Sequence, residues 1–401
     1  MSLDLARIAP QIEDMAARQR AGGPERQQRL QAALGIIGRP PIKLEALKQK
    51  VACSKTTFLV ADPVEELDTH CPSPAPPADF TVLATDGSHI DIDRHRSARC
   101  FLINIGRASL TYGANPGAAL DSVPRLYSDE AELSISADNG RQQPLEGALL
   151  GIKRGVEECR ALAAMAASLP AGSDAVALLD GSLILWGLAS KDQPEFVVEA
   201  LLDRAFLVYL EEMRVANRSR RVPLASYISF PRSTDVLNTL RVAICPHENP
   251  DCDTYCGETA AGKRECDALA GVQDRDLFAR LLGEGQRSAL FASKSKIVEK
   301  RYGGHNVLFF YLRAGEEIAR IELPQWSVMD DERLGLAHSL ILDQCRRGLG
   351  YPVSLGEAHE QAVLTGADRD NFQRLVDILM AEEDIAVSES QKCLSKRTRW
   401  V

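Results

Sequence analysis

The sequence predicts an α/β protein whose mixed sheet is flanked by helices. Three observations lead there. Short apolar runs, each closed by Gly, Asp or Arg, crowd residues 80–112. One long helical pattern covers 145–169. Directly after it, "AVALLD" at 175–180 is apolar without alternation, the mark of a strand covered on both faces. Strands, then a helix, then a buried strand is the order of a sheet that carries helices on its faces.

The elements follow in order. Leu5, Ile8, Ile12 and Met15 recur at helical spacing with charges between them, so residues 1–50 read as helix, with a second helical piece around "GIIGRPPIKLEALKQKV". The proline-rich "CPSPAPPADF" at 71–80 reads as a boundary. Strands are expected at 80–85, 88–93, 98–106 and 107–112. The helix over 145–169 is closed by Pro170 and Gly172. After the strand at 175–180 come a helix over 194–217 and a strand over 223–230. Antiparallel strands, a helix and then further parallel strands is the order of an RNase H-like fold. The expected organisation is a helical region with its linker at 1–77, a domain of this RNase H-like type at 78–385 with a cysteine-rich insertion at 245–266, and a basic tail at 386–401.

Composition narrows the function. The chain has 401 residues, 45% of them hydrophobic, enough for a sizeable core. Its formal charge of −9 argues against a general polyanion binder. Contact with nucleic acid would rest on basic islands at 218–223, 292–304 and 392–400, with Tyr302 and Trp400 as candidates for base stacking. No apolar run reaches the ~18 residues of a membrane span. "MSLDLARIAP" lacks the pattern of a signal peptide, so a cytoplasmic location is expected. The ten cysteines are scattered and frame no disulfide scaffold.

Two apolar runs end alike: "TVLATDGSHI" at 81–90 and "AVALLDGSLI" at 175–184. A single Asp-Gly-Ser is an ordinary turn after a strand. In the RNase H-like layout, however, these two strands lie side by side, which sets Asp86 beside Asp180. Paired carboxylates repel each other unless they share a cation, and oxygen ligands suit Mg²⁺ or Mn²⁺. Near the C-terminus, "GLGYPVSLGEAHEQAV" at 348–363 places Tyr351 and His359 eight residues apart, close to two helical turns, with Pro352 in the first turn. A histidine there could bind metal or move a proton.

Taken together, these segments resemble the NurA nuclease family over most of residues 80–401. The blocks are, in order, "TDGSH", "LLDGSL", "DRDLFARLLGEGQRSALF", "ARIELPQWS", "GYPVSLGEAHEQAVLTGADRDNF" and "SQKCLSKRTRWV". The most specific of them contains Tyr351 and His359. The resemblance implies Mn²⁺- or Mg²⁺-dependent cutting of DNA, homodimerisation and work beside the hexameric HerA translocase in end resection, repair or defence. It assigns catalytic carboxylates to Asp86 and Asp180, a third to a glutamate on the helix between them, and further roles to Tyr351 and His359. The glutamate candidates are Glu146, Glu157 and Glu158; the run Arg154, Glu158, Ala161 and Leu162 favours Glu158. Asp86, Glu158, Asp180 and His359 would then be the metal ligands.

"CPHENPDCDTYCGETAAGKREC" at 245–266 is a loop by composition and holds Cys245, Cys252, Cys256 and Cys266. Four thiolates can hold Zn²⁺ or an iron–sulfur cluster, although this spacing is not that of a standard zinc finger. Two other readings compete with the nuclease. Actin-like phosphotransferases or ATPases also place Asp-Gly turns at strand ends, but as D-x-G-[ST]. A DNA-binding scaffold without activity is the other.

Overall fold

The computed structural model describes residues 3–38, 43–93, 98–257 and 264–385. The chain divides into two compact units. One comprises Ser73–Ile228, Lys296–Val307 and Ile321–Val401, and it carries the residues singled out above as catalytic.

Its sheet is built from β1 (Phe80–Ile90), β2 (Phe101–Tyr112), β3 (Gly117–Tyr127), β4 (Ala175–Asp180), β5 (Leu224–Ile228) and the end of β6 (Glu317–Pro324). The strand order is β3-β2-β1-β4-β5-β6. β1, β2 and β3 form an antiparallel meander. β4 lies parallel to both β1 and β5. Flanked on both sides, it has no use for polar side chains, and Ala175 to Leu179 are all buried. The sequence-based expectation that β1 and β4 are neighbours therefore holds.

Helix α1 (Ala148–Ser168) covers one face of the sheet. Leu149, Val156, Cys159, Leu162, Ala163 and Ala166 form its buried stripe against Leu83, Ile103 and Ile105. It stops at Leu169, which takes an extended conformation because Pro170 follows. Helices α2 (Asp331–Arg347) and α3 (Val353–Ala362) lie on the other face. There, Gln344 on α2 donates to the Tyr112 hydroxyl at 3.1 Å, and Asn104 donates to the Ala362 carbonyl at 3.0 Å.

The other unit comprises Met1–Pro72, Ser229–Ser295 and Leu308–Arg320. Its long helix Leu5–Ile37 is buried only near its end, at Leu30, Ala33 and Ile37, which pack on Leu237, Leu240, Leu269 and Leu277. Asp274 caps the helix Asp235–Ala243, accepting from the backbone N–H groups of Val236 at 3.1 Å and Leu237 at 2.8 Å. The contacts divide the chain between Pro72 and Ser73, inside the proline-rich stretch, and again at later points. The N-terminal helices share a unit with segments more than 150 residues away, because their apolar stripes have no core of their own.

Several local expectations also change. The strands expected at 80–85 and 88–93 are one strand, as are those at 98–106 and 107–112. β3 was not expected: it is an exposed edge strand, and its sequence "GAALDSVPRLY" shows no buried run. The basic tail at 386–401, including Trp400 and the island at 392–400, lies outside the described residues.

Candidate active site

Asp86 sits within β1, not at its end. Successive side chains of a strand point to opposite faces. Thr85 and Gly87 face α1, where the Thr85 hydroxyl donates to the Glu158 carbonyl at 3.1 Å. Asp86 and Ser88 face α3: the Ser88 hydroxyl donates to the Ala362 carbonyl, and the Asp86 carboxylate accepts from His359 Nδ1 at 2.7 Å. A carboxylate only accepts, so Nδ1 carries the hydrogen and Nε2 is left for other work. His359 is well exposed, its side chain 61% accessible.

Asp180 is the last residue of β4 and lies one position beyond the Thr85–Leu179 pair, so it neighbours Asp86 in register. Gly181 then turns the chain at φ +84°, the conformation that favours glycine. Tyr351 hydrogen-bonds the Asp180 side chain. Its ring meets that of Tyr227 edge to face at 5.4 Å, and the Tyr227 hydroxyl donates to the Gly350 carbonyl at 3.3 Å. Tyr227 therefore fixes the turn that delivers Tyr351.

The two Asp-Gly pairs use glycine for different reasons. Gly87 makes no turn. A Cβ there would lie 2.5 Å from Glu158 Oε1 and 2.9 Å from Arg154 Cγ. The missing side chain is the gap through which Glu158 reaches the strand from the α1 face. Gly106, paired with Asp86 across the sheet, does the same on the other face, where a Cβ would lie 2.0 Å from the Ala358 carbonyl oxygen. Helix α3 thus rests directly on the β2 backbone and carries His359 to Asp86.

Among the three helix glutamates, geometry distinguishes one. Glu146 is exposed ahead of α1. Glu157 is held by Lys153 and Arg160, each at 2.6 Å. Glu158 is 7% exposed and points to the aspartates. Its Oε1 lies 3.0 Å from Arg154 Nε, an ion pair whose angles do not make a hydrogen bond.

Burial pushes the Glu158 carboxyl up to about 7, opposed by Arg154 and reinforced by the negative charges of Asp86 and Asp180. Asp180 is also raised, by partial burial and then by Asp86, against the hydrogen bonds from Tyr351 and Gly181 and the nearby His359. Part of the Asp180 side chain nevertheless reaches solvent.

The donor set of three crowded carboxylates, two of them driven toward protonation, fits a hard divalent cation that would relieve their repulsion. As the side chains stand, no three His, Cys, Asp or Glu groups among the described residues close on a common point. Arg154 and His359 occupy carboxylate oxygens that an ion would take.

Sequence reasoning thus placed Asp86, Glu158, Asp180, Tyr351 and His359 in one cluster. It missed the supports Ser88, Asn104, Gly106 and Tyr227. Their signal lies only in pairings across the sheet. Tyr302, a candidate for base stacking, is 1% exposed, and its hydroxyl donates to the Leu183 carbonyl at 2.9 Å. It is a core residue and cannot meet a base.

A mixed sheet flanked by helices, with carboxylates on two neighbouring parallel strands, defines an α/β protein. A model of the NurA domain matches residues 80–364. The chain belongs to the NurA family, and that membership supports a nuclease at the level of the family. The fold is similar to the crystal structure of the NurA nuclease from Sulfolobus solfataricus, with 12% identity, a TM-score of 0.50, and coverage of 94% of this chain and 96% of that one. No curated protein matches the chain significantly. No helix among the described residues is long and apolar enough to cross a membrane.

Proposed function

We propose that the protein is a divalent-metal-dependent deoxyribonuclease with an RNase H-like core. One observation carries the reading: Asp86 and Asp180 on adjacent parallel strands, with Glu158 admitted beside them through the Gly87 gap. Asp86, Glu158 and Asp180 would hold Mn²⁺ or Mg²⁺, with Arg154 released from Glu158. When bound, such an ion polarises the phosphodiester and stabilises the leaving oxygen.

The chain's own residues do the rest. His359 spends Nδ1 on Asp86, which orients that carboxylate, and this favours Nε2 as the group that moves a proton over its role as a ligand. The Tyr351 hydroxyl holds Asp180 in place. Asp180 is exposed, so the site is open to a DNA strand.

The proposal extends to a homodimer that works beside a HerA-type translocase in DNA end processing. It rests there on the resemblance and on apolar surface suited to partners. Helix Gly366–Glu382 buries none of its residues, while Leu375, Ile378 and Leu379 are 54%, 55% and 51% exposed.

The test is a nuclease assay on linear DNA with Mn²⁺, Mg²⁺ or EDTA. Asp86→Ala and Asp180→Ala are expected to abolish cutting with the fold intact, since each removes charge and geometry from the site. Cutting that persists in EDTA, or in either variant, would overturn the assignment.

A further inference from the structure

The cysteine-rich loop plays no part in the carboxylate site, yet the fold gathers it with care. Phe58, Cys245, His247, Cys252, Cys256 and Cys266 line one small cavity of about 20 Å³. The Cys256 side chain lies within electrostatic range of Cys245, Cys252, Cys266 and Arg264. Thiols far apart in sequence are thus brought to one place.

The backbone around the cavity is pinned from several sides. The Lys55 N–H donates to the Pro250 carbonyl at 2.7 Å, and the Cys252 N–H donates to the Lys55 carbonyl at 2.9 Å. The Lys50 ammonium donates to the Cys245 carbonyl at 2.5 Å. Asp251 caps the short helix Cys252–Cys256 by accepting from the Thr254 N–H at 2.9 Å.

The charge is arranged to match. Arg241 stacks its guanidinium over Phe58 at 4.1 Å and donates to Cys266 Sγ at 3.8 Å. Arg264 also lines the cavity. Two cations beside four thiols suit a site that becomes negative once the thiols ionise.

We propose that Cys245, Cys252, Cys256 and Cys266 form a structural tetrathiolate Zn²⁺ site. Size selects the occupant. A cavity near 20 Å³ has room for one atom-sized occupant, which needs roughly 10–15 Å³, and so favours a single ion over a multi-atom cluster. The tetrahedral preference of Zn²⁺ and its use of cysteine sulfur match the donors. His247 is the fifth candidate, but its ring is stacked on Tyr255 at 4.0 Å.

The four thiols form no disulfide in this arrangement, so binding would turn them inward, Cys266 exchanging its contact with Arg241 for the metal, and each would give up a proton as its sulfur bonds the ion. Zn²⁺ would then cross-link the loop to itself, joining Cys245 and the short helix Cys252–Cys256 to Cys266.

The experiment is elemental analysis of the full chain purified under reducing conditions, together with Co²⁺ exchange. About one zinc per chain is expected. Co²⁺ is expected to give the intense thiolate charge-transfer and visible bands of a tetrathiolate centre. The Asp86→Ala/Asp180→Ala variant should retain the zinc, which separates this site from the carboxylate cluster and keeps the result independent of the nuclease proposal. Cys252→Ser/Cys256→Ser should lose it. If that variant fails to fold, the wild-type stoichiometry and Co²⁺ spectrum still decide. No zinc and no cobalt–thiolate bands, iron with a cluster chromophore, or zinc that disappears with the aspartates would each overturn the proposal.

Discussion

Gly87→Ala tests the geometry of the candidate site with one methyl group. The new Cβ would stand 2.5 Å from Glu158 Oε1, 2.9 Å from Arg154 Cγ and 3.1 Å from Ile105 Cδ1. All three are side-chain atoms, so the strand need not break. Restoring an ordinary contact of about 3.5 Å asks the Glu158 carboxylate to retreat by about 1 Å. Overpacking of this kind costs about 1–3 kcal/mol, and the loss of glycine's freedom in the unfolded chain returns ~0.4–1 kcal/mol. The net loss of stability is therefore modest, about 0–2.6 kcal/mol, or a few degrees in melting temperature. The effect on chemistry is large by comparison, because a misplacement near 1 Å can cost about 100-fold in rate. The assay is the initial rate on linear DNA with saturating Mn²⁺, with thermal melting of the same preparation alongside. Gly106→Ala is the contrast: its Cβ meets the backbone of helix α3 at 2.0 Å and must displace the helix, so stability should fall along with rate. A Gly87→Ala enzyme that cuts within about threefold of wild type would refute the claim that this gap admits a working Glu158; the threshold is set well inside the ~100-fold expectation.

Two further outcomes are expected. His359→Ala should lower the rate by roughly 100-fold, the scale of a lost proton-transfer group, while stability moves by no more than about 0.5 kcal/mol because the side chain is exposed. Tyr351→Phe should also slow cutting through the lost hold on Asp180; unchanged rates in both variants would remove this pair from the site. The second outcome concerns pH. The Glu158 carboxyl is raised in the fold from 4.5 to about 7, so its contribution to stability is present below about 4.5 and is lost as pH rises through 7. Metal-free protein should therefore melt at lower temperature as pH climbs over this range. Asp62, Asp180 and Asp274 are raised too and act in the same direction, whereas His89 and His305, lowered by burial, act in the opposite one. The difference between wild type and Glu158→Gln isolates Glu158, and identical melting profiles from acid to neutral pH would contradict its burial beside two aspartates.

The sequence by itself determined much of the local structure. A 3.6-residue stripe made α1, the unbroken apolar run at 175–180 made a strand buried on both faces, and Pro170 ended the helix between. The order of these elements was enough to set β1 against β4, and with it Asp86 near Asp180, because helix-covered parallel strands leave few arrangements.

What only the tertiary structure decided depends on distances between residues far apart in the chain. Glu157 and Glu158 look alike in sequence, yet a rotation of one residue on the helix sends one to Lys153 and Arg160 and the other to the aspartates. Gly87 reads as a turn, but it is a vacancy in a continuing strand. The exposed strand β3 carries no hydrophobic signal, because its pairing lies in backbone hydrogen bonds to β2. His359 meets Asp86 across 273 residues only because Gly106 lets helix α3 lie on the sheet. Periodicity records which face a residue turns to its own element. Which other element waits on that face is settled by packing alone.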